Sequence, residues 1–541
     1  MNKKKYEEEN NVTVREIQDI LKKIQNIHYA SGPIYSKSNK ISSQLAAEDD
    51  ELEKIYHLVE AHSPNLRFNT IHQFEKCTAG SDSTPPLNKS YIHFQCNTAS
   101  LKEKIGVMLD QISDMPKEWT IIQLTSQLNP EEHFSINSES THTNAIYITV
   151  FNCGTKESPF TTIIRPPLNK PDGDVIQIRE EMCAILKENV KSLENFKMFC
   201  GKNTMDAAAK LLYSDVRFSL NNRWRSLIKG GGILSITEII NALSYIFPED
   251  CDKEMRVALG KDIQQMQVAH DFSHQTRHPV ILIVDEKLDV LPWEMLDVLE
   301  NHPASRMPCL HFTYCLYKEY ESNITDGMVT SISGENGTYL INPGLDLKNM
   351  ENRLKSFLKY WVPDWNGLIG VAPSEDDFKN LLSDGDVFIY SGHGNGTQYF
   401  ASEKIQRMKI NKVVLLFGCS SVSLTVLGPQ VEMFGAYQTY LIACSPCIVG
   451  MLWAVTDVDT DLLTTEFLSQ WIPSQASMHW KLVDKKKWEV KGNTGKTKTT
   501  LNESEKHEPE LLRALCKAKK AARQSLIRAA CVARGLPVKI K

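Results

Sequence analysis

Two short segments of this 541-residue chain place a reactive side chain among small residues that let a substrate come close. Val387-Phe388-Ile389-Tyr390 runs into Ser391-Gly392-His393-Gly394-Asn395-Gly396, and Val413 to Phe417 runs into Gly418-Cys419-Ser420-Ser421. A free thiol with a pKa near ~8.5 is only a few per cent thiolate at neutral pH, and a neighbouring imidazole lowers that pKa or accepts the proton during attack. Cys419 would attack a carbonyl, and His393 would activate the thiol or protonate the leaving amine. The backbone N–H groups of Gly394 and Cys419 could form an oxyanion hole. Acyl transfer is the natural reaction class. Alone, a cysteine after an apolar strand is ordinarily a small buried hydrophobe, and a Gly-His-Gly is ordinarily a turn. Their occurrence at consecutive strand ends is what favours chemistry.

The elements must bring the two together. Twenty-six residues separate His393 from Cys419, enough for a strand, a glycine turn and the crossover helix that parallel neighbours require. Adjacent strands lie ~4.8 Å apart, so groups at their carboxyl ends can meet across one rim. The surrounding texture agrees: the apolar runs Val280 to Val284, Tyr339 to Ile341, Val387 to Tyr390, Val413 to Phe417 and Cys447 to Leu452 suit buried parallel strands. Between them, Met350 to Tyr360 and Asp376 to Leu382 carry helical spacing. The expectation is an α/β fold with a doubly wound, mostly parallel sheet over residues 279–541, its functional groups gathered at strand carboxyl ends.

Upstream, residues 1–90 read as a leader with one amphipathic helix (Val14, Ile17, Ile20, Leu21, Ile24) ahead of Ser31-Gly32-Pro33. Residues 91–278 read as an α/β unit, with a helical pattern from Leu101 to Ile112 and strand-length runs at Thr120 to Leu124 and Ala145 to Phe151. A helical connector broken at Gly230-Gly231-Gly232 follows. Residues 474–507 form a polar, lysine-rich insertion. A closing helix from Glu508 to about Ala530 then leads to Gly535-Leu536-Pro537-Val538, a candidate final strand.

Sixty-one Lys+Arg against 66 Asp+Glu give a net charge of -5, so no overall basicity advertises nucleic acid or a membrane. Met1 to Asn10 has no apolar run behind its lysines, which argues against a secretory signal. The stretch Leu441 to Val455, broken at Ser445-Pro446, falls short of the ~20 residues that span a bilayer. Thirteen irregularly spaced cysteines read as free thiols in a reducing, intracellular setting. Gly492 to Thr497 ends like a phosphate loop but has Val490 where the pattern needs glycine, and Cys444-Ser445-Pro446-Cys447 lacks a second ligand pair. Neither nucleotide nor metal is expected, and the chemistry above needs no cofactor.

The motifs YSGHGNGTQYF (Tyr390 to Phe400), LLFGCSS (Leu415 to Ser421) and GMLWAVTDVDTD (Gly450 to Asp461) resemble the carboxyl-terminal peptidase domain of separase, the caspase-like cysteine protease that cuts cohesin. LDVLPWEML (Leu288 to Leu296), TYLINPGLDL (Thr338 to Leu347) and the terminal GLPV match in order and spacing. The likeness is strong over residues 279–541. From about Tyr91 it extends more loosely to the family's pseudo-protease and substrate-binding region.

The resemblance implies that His393 and Cys419 are a catalytic dyad and that the kleisin subunit of cohesin is cut after arginine in an acidic-x-x-Arg context, separating sister chromatids at anaphase. Asp457, Asp459 and Asp461, just beyond the strand ending at Trp453, then fall near the same rim and suit a P1 guanidinium. Asp461 is the first choice for the S1 acid, with Asp457, Asp459 and Trp453 beside it. The bland alternative is that these aspartates merely start a helix over Leu462 to Trp471. A securin-type inhibitor, residence in cytoplasm and nucleus, and association with chromosomes or spindle in mitosis are further implications. The family's long helical-repeat region is nearly absent here, so either a separate helical subunit supplies it as a partner or this sequence is the protease half of a longer chain. A caspase-like scaffold inactive without that subunit is the alternative function. Lysines 485–498 suit weak DNA contact, although a solvated loop is the plainer reading. Glu510 to Arg513 is the one substrate-like Glu-x-x-Arg and a candidate self-cleavage site, set within a helix.

Overall fold

The computed structural model describes residues 13–27, 31–47, 50–79, 87–92, 100–128, 145–164, 278–296, 301–428, 431–474, 478–492 and 507–541, with a few isolated positions besides. The expected helical connector with Gly230 to Gly232 lies outside the described residues, as do residues 493–506 of the lysine-rich insertion.

Helices α1 (Val14–Gln25), α2 (Gly32–Leu45), α3 (Glu51–Glu60), α4 (Pro64–Ala79) and α5 (Leu101–Asp114) come first. They precede β1 (Thr120–Ser126), β2 (Ile146–Asn152) and β3 (Phe160–Ile164). The chain continues through β4 (Val280–Val284), β5 (Ala304–Met307), α6 (Leu310–Tyr320), a small ribbon of β6 (Ile324–Thr325) and β7 (Met328–Val329), and β8 (Gly337–Ile341). Next come α7 (Lys348–Trp361), β9 (Asn366–Ile369), α8 (Glu375–Ser383), β10 (Val387–Ser391), α9 (Ser402–Gln406), β11 (Val413–Leu416), α10 (Ala436–Ile442) and β12 (Cys447–Met451). Last are α11 (Asp457–Trp471), α12 (Lys485–Lys491), α13 (Leu511–Ala518), α14 (Ser525–Ala530) and β13 (Cys531–Gly535).

One sheet of eleven strands runs β3-β2-β1-β4-β5-β13-β12-β11-β10-β8-β9. It is mostly parallel, as expected. β12, β11, β10, β8 and β9 run together, β1, β4, β5 and β13 run together, and the two sets meet antiparallel where β13 pairs with β12. The strands assigned to residues 91–278 therefore extend the same sheet, with β1 pairing in register from Thr120↔Val280 to Leu124↔Val284.

Every residue of β10, β11 and β12 is buried, which is why their apolar runs do not alternate. Helix α7, packed against β8, buries Met350, Leu354, Phe357, Leu358 and Trp361, an apolar stripe at helical spacing. Helix α8 starts at a capping box in which the Ser374 hydroxyl accepts the Asp377 N–H (3.1 Å). The apolar stretch 441–455 divides into the end of α10 and β12, and no described helix is long and apolar enough to cross a membrane.

Two central strands carry buried charge. Arg306 in β5 binds Glu294 (2.6 Å) and Asp289 (3.3 Å), and Arg534 in β13 binds Asp289 (2.6 Å) and lies 4.0 Å over the Tyr437 ring. Arg306 and Arg534 are register partners, so the Leu288 to Leu296 segment acts as a plug of counter-charge on the parallel β5–β13 pair, next to the join between the two strand sets. The helical layer is fastened similarly: Glu60 binds Arg67 (2.9 Å) and His311 (3.1 Å), and Lys40 binds Asp285.

Two expectations change. The closing helix is broken into α13 and α14 by a turn at Lys519–Ala521, and the final strand is residues 531–535 rather than the Gly-Leu-Pro-Val tail. The insertion is partly built into the core: α12 buries Trp488 against Trp480, and Lys485 lies 4.2 Å over the Trp480 ring. Burial pushes the Lys485 ammonium down to about 8, with Glu466 opposing.

Candidate active site

β10 and β11 pair in parallel with Tyr390 opposite Leu416. His393 and Cys419 each follow three residues later, so they leave adjacent strands at matching register on the same rim. The two loops are in intimate backbone contact. A Cβ built on Gly418 would lie 2.0 Å from the Gly394 carbonyl oxygen and 2.5 Å from that of Gly392, so only glycine fits.

Local bonds fix each loop. The Tyr390 hydroxyl and the Gln398 amide donate to the His393 carbonyl (2.6 and 3.0 Å), while Gly394 and Gly396 take positive φ of 67° and 87° to complete the turn. Ser420 adopts φ 54°, unusual for a residue with a side chain, and its N–H donates to the Trp453 carbonyl (3.1 Å). Ser421 Oγ donates to Leu416 and accepts from Met451 (2.6 and 3.0 Å). The cysteine turn is thus stapled to β12. Among the described residues, no acceptor takes the backbone N–H of Gly394 or Cys419.

The Cys419 thiol rests on the turn after β12, donating to the Val455 carbonyl (3.5 Å) and accepting the Val455 N–H (3.4 Å). His393 is well exposed, and its Nε2 lies 2.8 Å from Oδ2 of Asp346. Among the described residues, Nδ1 of His393 has no partner. Asp346 is absent from the sequence-based site; it lies 47 residues upstream, and its presence within TYLINPGLDL at the end of β8 was the available signal.

The three aspartates divide by environment. Helix α11 begins at Asp457, five residues earlier than the sequence suggested. Asp461 is buried and binds Nε of Arg353 (2.6 Å), while Asp457 binds Nη2 of the same guanidinium (2.7 Å). Asp461 and Asp457 thus share the guanidinium of Arg353, so the carboxylate expected to lead the S1 pocket already accepts from an arginine of this chain. Burial disfavours charge on Arg353, but the two carboxylates hold its guanidinium above the ordinary value. Asp459 is also buried, accepting the Arg523 N–H (2.9 Å). Asp457 alone of the three is substantially exposed, its side chain 41% accessible against 2% for Asp461. Trp453 is buried, its indole donating to the Leu526 carbonyl (3.1 Å). Arg513 lies in α13 and pairs with Glu510.

The protein-family model described as Separin, protease domain, matches residues 158–460, more than half of the chain. The chain belongs to the separin protease-domain family. Separin of Mus musculus is 30% identical over 246 residues, covering 46% of this chain and 11% of the mouse protein. Separin of Emericella nidulans is 35% identical over 207 residues, covering 38% of this chain and 10% of the relative. The crystal structure of the Saccharomyces cerevisiae separase–securin complex matches 97% of this chain with a TM-score of 0.67 at 17% identity, and covers 37% of the yeast chain. The α/β fold is thus that of separase. This separin-family chain spans about a tenth of the length of the curated relatives it matches.

Proposed function

We propose that this chain is a cysteine endopeptidase that cuts the kleisin subunit of cohesin after arginine in an acidic-x-x-Arg context, and so separates sister chromatids. The observation that carries the reading is the matched departure of His393 and Cys419 from adjacent parallel strands. Nδ1 of His393 takes the thiol proton as Sγ of Cys419 attacks the scissile carbonyl carbon. The oxyanion is received by the N–H groups of Gly394 and Cys419. Collapse breaks the C–N bond, with the proton on Nδ1 passing to the leaving amine. Water, deprotonated by the same nitrogen, then releases the acyl group and restores the thiol.

For the P1 guanidinium we assign Asp457, because it combines exposure with a place on the turn beside Val455, which touches Cys419. A carboxylate has about four acceptor sites, and those of Asp457 are only partly used by Arg353 and the Val458 N–H. A securin-type inhibitor acting at this cleft is part of the reading, supported by the yeast neighbour, whose structure is a separase–securin complex. So is action in nucleus and cytoplasm.

A second reading, a scaffold that needs a helical partner, is favoured by one observation: the thiol rests on Val455 while the imidazole faces Asp346. The test is cleavage of a purified kleisin fragment bearing an acidic-x-x-Arg site, compared with Cys419→Ser enzyme and Arg→Glu substrate. Cleavage abolished by both changes supports the peptidase. Absence of cleavage together with no labelling of Cys419 by an arginyl chloromethyl ketone would favour the scaffold.

A further inference from the structure

Asp346 sits at the exposed tip of the loop that joins β8 to α7, and that loop is expensively built for a surface turn. Two of its non-glycine residues, Asn342 and Leu345, hold left-handed φ of 50° and 67°, each a conformation that L side chains rarely adopt. Asn342 is wholly buried. Its N–H donates to the carbonyl of Ser391, the last residue of β10, and its side chain accepts the Leu347 N–H (3.0 Å) while donating to Glu351 (2.7 Å). The loop is therefore tied at one end to the strand that carries His393 and at the other to the first turn of α7. Between those ties it holds a single acid against the imidazole.

Space around the pair is kept clear. A Cβ at Gly344, whose φ is ordinary, would meet Oδ1 of Asp346 at 3.1 Å, tighter than most real contacts, and Cδ2 of His393 at 3.9 Å, an ordinary van der Waals distance, so a side chain there would press on the acid. Stability does not explain this arrangement, because both side chains are 59% exposed and surface ion pairs of this kind contribute little. Strain held by a buried asparagine to present one exposed acid is more readily understood as positioning.

We propose that Asp346 is a positioning residue that accepts a hydrogen bond from Nε2–H of His393, fixing the tautomer whose Nδ1 lone pair is available to the Cys419 thiol. A carboxylate can only accept, so the proton of the neutral ring is on Nε2. When Sγ transfers its proton to Nδ1, the imidazolium formed has its second N–H already directed at a negative charge. The inference rests on the dyad reading above.

The experiment follows the rate at which Cys419 of the full chain is alkylated by an arginyl chloromethyl ketone, quantified on the Cys419 peptide, for wild type, His393→Ala, Asp346→Ala, Asp346→Asn and Gly344→Val. The expected result is a fall of about 10- to 100-fold for Asp346→Ala, less than the ~10⁴-fold found when a buried triad aspartate is changed. Added acetate should recover part of that loss, since the site is open to solvent, and should leave wild type unaffected. Asp346→Asn, which keeps an acceptor without the charge, should fall between, and Gly344→Val should resemble Asp346→Ala with the acid still present. Wild-type labelling in Asp346→Ala, beside slow labelling in His393→Ala, overturns the inference and leaves the dyad standing. Loss in Asp346→Ala with a lowered melting midpoint and no recovery by acetate also overturns it, in favour of a structural role. Unchanged labelling in His393→Ala defeats the dyad reading itself.

Discussion

The contact between Gly418 and the histidine loop gives the sharpest quantitative prediction. In Gly418→Ala the new methyl carbon would stand 2.0 Å from the Gly394 oxygen and 2.5 Å from the Gly392 oxygen, where real Cβ contacts are essentially never under 3.0 Å. Both obstacles are backbone, so no rotamer change relieves them. The loops must part by about 1 Å, a displacement that can cost about 10²-fold in rate when it separates reacting groups. Overpacking of this size costs about 1–3 kcal/mol, which a chain with this large a core should survive. The expected outcome is a folded protein whose kcat on an acidic-x-x-Arg peptide falls about 100-fold, with KM little changed. Cys419 should remain modifiable by a small alkylating reagent in denaturant. Steady-state kinetics and a thermal melt on the same preparation provide the check. Wild-type kcat in Gly418→Ala would refute the claim that the two loops act as one rigid unit.

Two other outcomes follow from buried charge. Asp289→Ala should destabilise the fold by about 3–5 kcal/mol, because it leaves Arg534 buried without its counter-ion and takes one from Arg306; urea unfolding measures this, and a loss below about 1 kcal/mol would contradict it. Burial pushes His57, His62 and His311 each down to about 4 from an ordinary 6.5. The unfolded chain therefore binds more protons between about pH 4 and 6.5, so stability is fully present above that window and declines as pH falls through it. Each histidine contributes a slope of up to about 1.4 kcal/mol per pH unit. Denaturation midpoints at pH 7, 6 and 5 should drop in that order, and a flat profile would show that the histidines are not buried neutral.

The elements legible in the sequence were those whose two faces meet apolar layers. β4, β10, β11 and β12 are continuous apolar runs, and the reactive groups follow where those runs stop. β5 and β13 were not legible, because Ala-Ser-Arg-Met and Cys-Val-Ala-Arg-Gly each put an arginine where the pattern demands a hydrophobe. Their neutralising acids, Asp289 and Glu294, come from elsewhere in the chain and only the fold brings them in. The surroundings of the expected S1 acids were hidden for a related reason. Asp457 and Asp461 are four residues apart and share a helix face, but the residue that face meets, Arg353, lies more than a hundred positions away. Asp346 escaped notice because an exposed acid in a loop has no pattern of its own until His393 is seen beside it.

The position of β13 has a consequence for how the chain acquires its shape. Residues 531–535 follow every other described strand in the sequence, yet they occupy the sixth place of eleven, between β5 and β12. During synthesis the ribosome releases both flanking strand sets before the strand that joins them, so each set waits with an unpaired central edge. Exposed edges of this kind are templates for pairing with other chains, and long-range pairing is slow to form. Nascent chains stalled before residue 531 should therefore depend on a holding chaperone. The rim that carries His393 and Cys419, one strand beyond the seam, would reach its final geometry only after that last insertion, so that translation itself delays the assembly of the candidate site.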